Sequence, residues 1–338
     1  MAVTIKDVAK YAGVSTATVS RVMNNDKGVK AENVKKVKDA IEACQFVPNF
    51  VARNLKNSRT NTVALIVSDI SNPYFTAMAK AISDILRQHG YDMFVCSTEE
   101  NKETEATLLN RFQGNHVDGI ILNTTNQNDS FVANLSKTTP MVLIERQILS
   151  SEFIGDFVGG NNFSGVYSMT QHLLRLGHRN IGFINSELSV NTGAERMAGF
   201  VRAMADAQIT VDAKYPYLYS SKHFDYEGGY SGAKNLMCMD TPPSAIIASN
   251  NMLALGALAY LKGANLRIPQ DVSFFSHGDI QNSELLFVNP SFSSQSPYTL
   301  GERAASFIVS RIETPTMHNR QAIFESQLII GDSVARKS

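Results

Sequence analysis

Apolar residues in the first 45 positions recur at helical spacing in three short runs. Thr4 precedes the first run and can cap a helix from about Ile5 to Tyr11, with Asp7 placed to complete a capping box. Val8 and Ala9 face inward on that helix, Gly13 supplies a turn, and Val14 packs beneath it. Ser15 can cap a second helix, roughly Thr16 to Asn24, whose apolar side is Val19 and Val22. A third helix is predicted from about Ala31 to Cys44, with Val34, Val37 and Ile41 on one face. Two short helices around a tight Ala-Gly-Val turn, braced by a third, read as a helix-turn-helix. In that motif the second helix enters the major groove of DNA.

After Pro48 and Asn49 stop the third helix, Phe50 to Asn57 forms a stretch too short to be a stable helix alone in water. From Thr62 the pattern changes. Buried strands read as VALIV, DMFVCS, VDGIIL and PMVLIE, with helices through Met78 to Leu86 and from Glu103 to Phe112. The alternation then repeats: helix 163–176, strand NIGFI, helix 194–205, a strand near YPYLYS, helix 227–237, strand SAIIAS, helix 251–262 and strand VSFFS. This predicts two doubly wound α/β units in series behind an all-α head.

Composition sharpens the division. The chain has 338 residues, enough for two or three domains, and 31 basic against 31 acidic side chains. The balance hides an asymmetry: residues 1–60 hold 11 basic and 5 acidic groups, a net of +6, and the remainder carries −6. A basic head on an acidic body points to a polyanion as the head's partner. Thr16, Ala17 and Arg21 point away from the apolar side of the second helix. Arg21 can bridge guanine O6 and N7, and Ala17 and Thr16 can touch a thymine methyl. Thr4, Ser15, Ser20, Asn24 and the Lys35/Lys36 pair are candidate phosphate contacts. The competing reading is a small helical domain with a solvated, lysine-rich face.

Other classes lack support. Cys44, Cys96 and Cys238 are odd in number and widely spaced, which fits no disulfide framework or zinc site. No apolar run of membrane-spanning length is present, and the charged N-terminus lacks a signal-peptide pattern, so a cytoplasmic location is expected. Neither a dinucleotide fingerprint nor a Walker loop follows a strand, the seven histidines show no metal spacing, and no catalytic triad order stands out. Neither catalysis nor a cofactor is expected.

The segment TIKDVAKYAGVSTATVSRVMN resembles the signature of the LacI/GalR family of bacterial transcription regulators. The resemblance continues through FVPNFVARNLKNSRTNTVALIVSDISNPYF, HLLRLGHRNIGFI, ERMAGF, PSAIIASNNMLALGAL and IPQDVSFF, and so covers nearly the whole chain. It implies a helix-turn-helix domain (1–47), a hinge helix and linker (48–60), and a type I periplasmic-binding-protein-like body with three crossovers. Of that body, 61–161 plus 292–325 would form one α/β subdomain and 162–291 plus 326–338 the other. The hinge helix would order on operator DNA in a homodimer, with Leu55 wedged into the minor groove, Ala52 allowing close approach and Lys56 beside them. The residue pattern alone favours an ordinary linker helix whose Leu55 touches the core.

The resemblance also implies a small effector in the cleft, mostly a sugar, sugar phosphate or nucleobase across the family. Matched positions make Tyr74, Phe75, Asn161, Arg196, Asn250, His277, Gly278 and Asp279 candidate effector contacts. Phe75 reads equally as helix core; the competing reading of Arg196 is a surface partner of Glu195, and that of Asn250 a helix cap. Two carboxylates usual in the family are replaced, by Gly278 and in the Asn161-Asn162 pair. Their loss beside a retained Arg196 predicts a less negative pocket and an anionic effector such as a sugar acid or sugar phosphate. The expected function is a repressor of carbohydrate-utilisation genes. The alternative is a catabolite-control regulator with a phosphorylated carrier protein as co-repressor.

Overall fold

A computed structural model describes residues 3–23, 26, 28–46, 60–186 and 188–337. The chain divides into two compact units, 1–60 and 61–338. The proposed hinge, with Ala52, Leu55 and Lys56, lies outside the described residues, as does Asn24.

In the head, α1 (Ile5–Ala12), α2 (Thr16–Met23) and α3 (Ala31–Ala43) close around Val8, Val19 and Val37, all fully buried. Thr4 caps α1: its backbone N–H and its hydroxyl both donate to the Asp7 carboxylate, at 2.8 and 2.6 Å. Gly13 ends α1 at φ 66°, in the left-handed region that glycine enters without a Cβ clash. That turn releases the chain into α2, where the Ser15 hydroxyl accepts from the Thr18 N–H at 3.2 Å. Ala40 and Phe46 complete the core, with Val34 and Ile41 at its margin.

The larger unit contains two six-stranded sheets. The first, entirely parallel, has the order β11-β5-β4-β3-β1-β2, from β1 (Thr62–Val67), β2 (Asp92–Ser97), β3 (Gly119–Leu122), β4 (Met141–Ile144), β5 (Asp156–Gly160) and β11 (Gln321–Phe324). Val63, Leu65 and Val67 of β1 face α4 (Pro73–Gln88) and α11 (Pro297–Glu313). Ala64 and Ile66 face the opposite core, built by α5 (Lys102–Gly114) and α6 (Asp129–Ser136). The period of two explains why VALIV is apolar throughout: both faces are covered.

The second sheet has the order β12-β10-β9-β8-β6-β7, from β6 (Ile181–Asn185), β7 (Leu218–Ser220), β8 (Ala245–Ala248), β9 (Ser273–His277), β10 (Ser291–Ser294) and β12 (Gln327–Ile329). Only the β10–β12 pair runs antiparallel. One face packs on α7 (Asn162–Arg175) and α8 (Asn191–Asp206), the other on α9 (Tyr226–Met237) and α10 (Asn251–Gly263).

Two differences from the sequence reading are physical. The segment from 292 was assigned to the first subdomain, yet β10 pairs with β9 in the second sheet, and the chain crosses only before α11. The strand β5, with the sequence DFVGG, and helix α6 were not predicted at all. Glycines lower strand propensity, but here both faces of β5 are buried and tertiary packing overrides the local preference.

The returning chain is fastened to the first sheet by a buried ion triad. Asp156, fully buried, accepts from Arg311 at 2.6 and 2.9 Å and from Arg320 at 2.6 and 3.2 Å. The two guanidiniums hold the carboxyl below its usual range despite burial, which acts to raise it. Asp156→Ala leaves the buried Arg311 unpaired and is expected to lower unfolding free energy by about 3–5 kcal/mol. Urea titration of the two proteins checks this, and a loss below about 1 kcal/mol contradicts the role given to the triad.

Candidate functional site

Three helix N-termini meet between the two subdomains of the larger unit, each just beyond the carboxyl end of a parallel strand. In doubly wound folds this is where ligands bind, because the strand order reverses and the loops splay apart. Asn72 caps α4, accepting from the Tyr74 N–H at 3.0 Å. Asn250 caps α10, accepting from the Leu253 N–H at 2.8 Å. The start of α8 brings Asn191, Thr192 and Arg196 to the same place. The space they enclose is a cavity of about 480 Å³, lined by both subdomains.

On the first wall, the Tyr74 hydroxyl donates to Glu145 at 2.6 Å. Burial raises the Glu145 carboxyl above its ordinary range, opposed by the Tyr74 hydrogen bond and the Arg196 charge. Tyr74 is raised well above the usual phenol value, by burial first and then by Glu145. Glu145, Glu99 and Glu100 all have left-handed backbone, at φ 59°, 52° and 58°. Such conformations persist where surrounding structure enforces them, and they cluster at binding sites. Here Arg146 makes a two-pronged pair with Glu100, both contacts 2.6 Å, and donates to the Thr124 carbonyl at 3.1 Å.

On the second wall, the Arg196 Nε–H donates to Asn162 Oδ1 at 2.9 Å, and the guanidinium lies 5.3 Å from the Phe224 ring centroid. Desolvation lowers its pKa to about 10, with Glu145 opposing the shift. Asn162 is held in turn by donation to Glu195 at 3.1 Å and to the Gly160 carbonyl at 3.2 Å. The walls touch directly where Asn72 and Asn251 exchange amide hydrogen bonds of 2.8 and 3.4 Å. A further bond of 3.3 Å runs from the Gln147 N–H to Asn191 Oδ1.

Tyr74, Phe75, Arg196, Asn250, His277 and Gly278 all line this cavity; Asn161 and Asp279 do not. Asn161 caps α7 by accepting from the Ser164 N–H at 3.0 Å and donates to Glu325 at 2.9 Å, so both ends of its amide are engaged elsewhere. Asp279 is exposed beyond the end of β9. The amide of Asn250 is also committed, to its cap and to the Phe224 carbonyl at 3.2 Å. Phe75 is both a core residue of the first subdomain and part of the lining.

Carboxylates nevertheless reach the cavity from other positions. Asp69, Glu99, Glu100, Glu145 and Asp225 line the cavity beside only two arginines, Arg146 and Arg196. The acidic groups come from loops whose spacing matches no motif, so only their position after strands could have marked them. Gly278 is also more than a lost carboxylate: at φ 100° its backbone lies where any side chain is strained.

The head presents Thr16, Ala17 and Arg21 outward from α2. Arg21 lies 4.0 Å from Asp26, and both side chains are well exposed, so the pair leaves the guanidinium free to move. Ser20 is half-buried on the same helix, and Ser15 and Lys35 are exposed. Thr4 has its hydroxyl committed to Asp7.

Two family models match the chain. "Bacterial regulatory proteins, lacI family" covers residues 4–49, and "Periplasmic binding proteins and sugar binding domain of LacI family" covers 60–330. The chain belongs to the LacI family. It is a DNA-binding transcriptional regulator of that family. HTH-type transcriptional repressors PurR resemble it over nearly full length: that of Pasteurella multocida is 32% identical, covering 98% of each chain. That of Actinobacillus pleuropneumoniae is 33% identical with the same coverage. Among solved structures, a transcriptional regulator CelR–cellobiose complex superposes with TM-score 0.73 at 25% identity, covering 98% of this chain and 100% of that one. A LacI family regulator from Enterococcus faecium with bound ribose gives TM-score 0.72 at 27% identity, covering 82% and 100%. Among the described residues, no helix is long and apolar enough to cross a membrane, and no cluster of His, Cys, Asp and Glu is arranged to hold a metal ion.

Burial holds His277 well below the ordinary histidine value of 6.5, and the nearby Arg196 adds to the effect. The folded state therefore refuses a proton that the unfolded chain accepts below about pH 6.5, so stability falls as pH drops through that point. His277→Gln removes this contribution. Its melting temperature is expected to fall less than the wild type's between about pH 7.5 and 5.5. Equal falls in thermal scans contradict a neutral buried His277.

Proposed function

We propose that the protein is a homodimeric repressor which reads a near-palindromic operator and is controlled by a neutral, polyhydroxylated ligand in the cavity. The observation that carries the ligand class is the lining: carboxylates from several loops with two guanidiniums among them. Carboxylates accept from hydroxyls and repel anions, while Arg146 and Arg196 donate to ring or hydroxyl oxygens. The volume suits one sugar ring with room to spare. The cellobiose and ribose complexes of two structural relatives support a saccharide. A second reading, a planar nucleobase, is favoured by the aromatic side chains Tyr74, Phe75 and Phe224 in the lining.

On DNA, α2 enters the major groove with Arg21 reading guanine and Thr16 and Ala17 touching thymine methyls. Ser15, Ser20 and Lys35 grip phosphates, which sets position without reading sequence. Dimer symmetry then requires two half-sites over roughly 14–20 base pairs. The ligand acts through its different affinity for two states of the body, because equal affinity would shift nothing.

Arg21→Ala is expected to lose about 1–3 kcal/mol of discrimination per half-site. Lys35→Ala weakens matched and scrambled duplexes alike and lowers the salt slope by about 1. Fluorescence anisotropy over a salt series separates the two, and identical behaviour refutes the division of labour. Arg196→Ala is expected to abolish the response to ligand while leaving operator affinity within about twofold. Calorimetric titration with neutral sugars, sugar acids, sugar phosphates and nucleobases identifies the ligand. Binding confined to anions or to bases overturns the neutral-sugar reading.

A further inference from the structure

Asn162 stands behind the cavity wall rather than in it. It is almost fully buried at the start of α7, where the chain has just crossed from the first sheet to the second. The helix does not need it as a cap, because the side chain of the preceding Asn161 already accepts from the Ser164 N–H. A buried amide that no cap uses must find partners elsewhere, since leaving it unpaired is costly. Its oxygen accepts from the Arg196 Nε–H at 2.9 Å, and His277 Nε2 lies 3.4 Å from the same atom. Its nitrogen donates to Glu195 at 3.1 Å and to the Gly160 carbonyl at 3.2 Å.

We infer that Asn162 is a positioning residue: it fixes the aim of Arg196 at the cavity and ties that aim to the first crossover. This rests on the reading of Arg196 as a ligand contact, and it holds for any class of ligand. The partners dictate the residue type. An arginine Nε–H can only donate, whereas a carboxylate and a backbone carbonyl can only accept. The side chain between them must offer an acceptor on one side and two donors on the other, and among side chains of this length only the asparagine amide does so. An aspartate would keep the bond to Arg196 but meet Glu195 as a like charge and leave the Gly160 carbonyl without its donor. Engaging Nε on Asn162 leaves the terminal nitrogens of Arg196 for a ligand, and a guanidinium already held loses less freedom on gripping one. The crossover side is fixed as well. Gly160 packs so closely on Gln295 of the second crossover that a Cβ would collide with its amide, and Gln295 accepts from the Ser326 hydroxyl of the third at 3.0 Å. A change of subdomain angle that shifts these strands therefore shifts Asn162 and, through it, the guanidinium.

The test uses the full-length protein, with melting temperatures confirming that each variant is folded. With arginines labelled by ¹⁵N, the Arg196 Nε–H signal is assigned by its loss in Arg196→Lys. Asn162→Ala is expected to speed solvent exchange of that proton by about tenfold or more, and an unchanged rate overturns the inference. Calorimetry with ribose, cellobiose, gluconate, glucose 6-phosphate and guanine supplies the second readout. For a probe that binds the wild type, Asn162→Ala should weaken affinity by about tenfold, and Arg196→Ala should cost less in that background than it costs alone. Losses that simply add mean that Asn162 does not act through Arg196, which overturns the inference. If Asn162→Ala does not fold, Asn162→Asp carries the test. Alone it should weaken binding, and combining it with Glu195→Gln, which restores a donor–acceptor match between the two positions, should return affinity to within about threefold of the wild type. Absence of that recovery overturns the inference. Full affinity in Arg196→Ala instead overturns the reading of Arg196 as a ligand contact. If no probe binds the wild type, the exchange rate decides.

Discussion

Glu145 and Arg196 are drawn out of bulk water on opposite walls of one cavity, and each depends on the other wall for part of its stabilisation. Burial raises the carboxyl and lowers the guanidinium, the direction in which each would lose its charge. The Tyr74 hydroxyl holds Glu145 from its own side, and Asn162 and Phe224 hold Arg196 from the other. Such a pair is well placed for a ligand that donates to one side and accepts from the other. The separation of the walls, and so the state of the body, becomes tied to what lies between them.

The fold supplies this opposition through its crossovers. The chain leaves the first sheet after β5, builds most of the second, and returns through α11 and β11 before ending against β10. The Asp156–Arg311–Arg320 triad fixes the return on the side of the first sheet, and the Asn72–Asn251 amides meet at the cleft itself. A change in the angle between the two subdomains is the motion through which the ligand control proposed above would act.

Much of this was legible in the chain. The central strands of both sheets follow from continuous apolar runs alternating with helical spacing, because strands buried on both faces leave that trace. The head follows from Val8, Val19 and Val37 and from the caps at Thr4 and Ser15. The family resemblance picked out Arg196, Tyr74 and His277 at the cavity. Less was legible where a residue's role depends on which end of it is already bonded. Asn161 and Asn250 look like polar ligand contacts in sequence, but Asn161 is engaged by its cap and the Glu325 carboxylate, and Asn250 by its cap and the Phe224 carbonyl. Glu145 and Arg146 gave no periodic signal, since they lie past the end of β4 in a turn that only the tertiary structure holds. The glycine-rich β5 was missed for the converse reason: its strand conformation is imposed by neighbours on both sides.

The central claim is that one ligand is clasped by both subdomains at three converging helix N-termini. Hydrogen exchange of the full-length protein tests it directly, with and without the sugar that most raises its melting temperature. The account predicts added protection at backbone amides near Tyr74 and Phe75 on one wall, and near Thr192 to Arg196 and Asn251 to Leu253 on the other. Protection confined to one wall, or appearing only away from these segments, contradicts it.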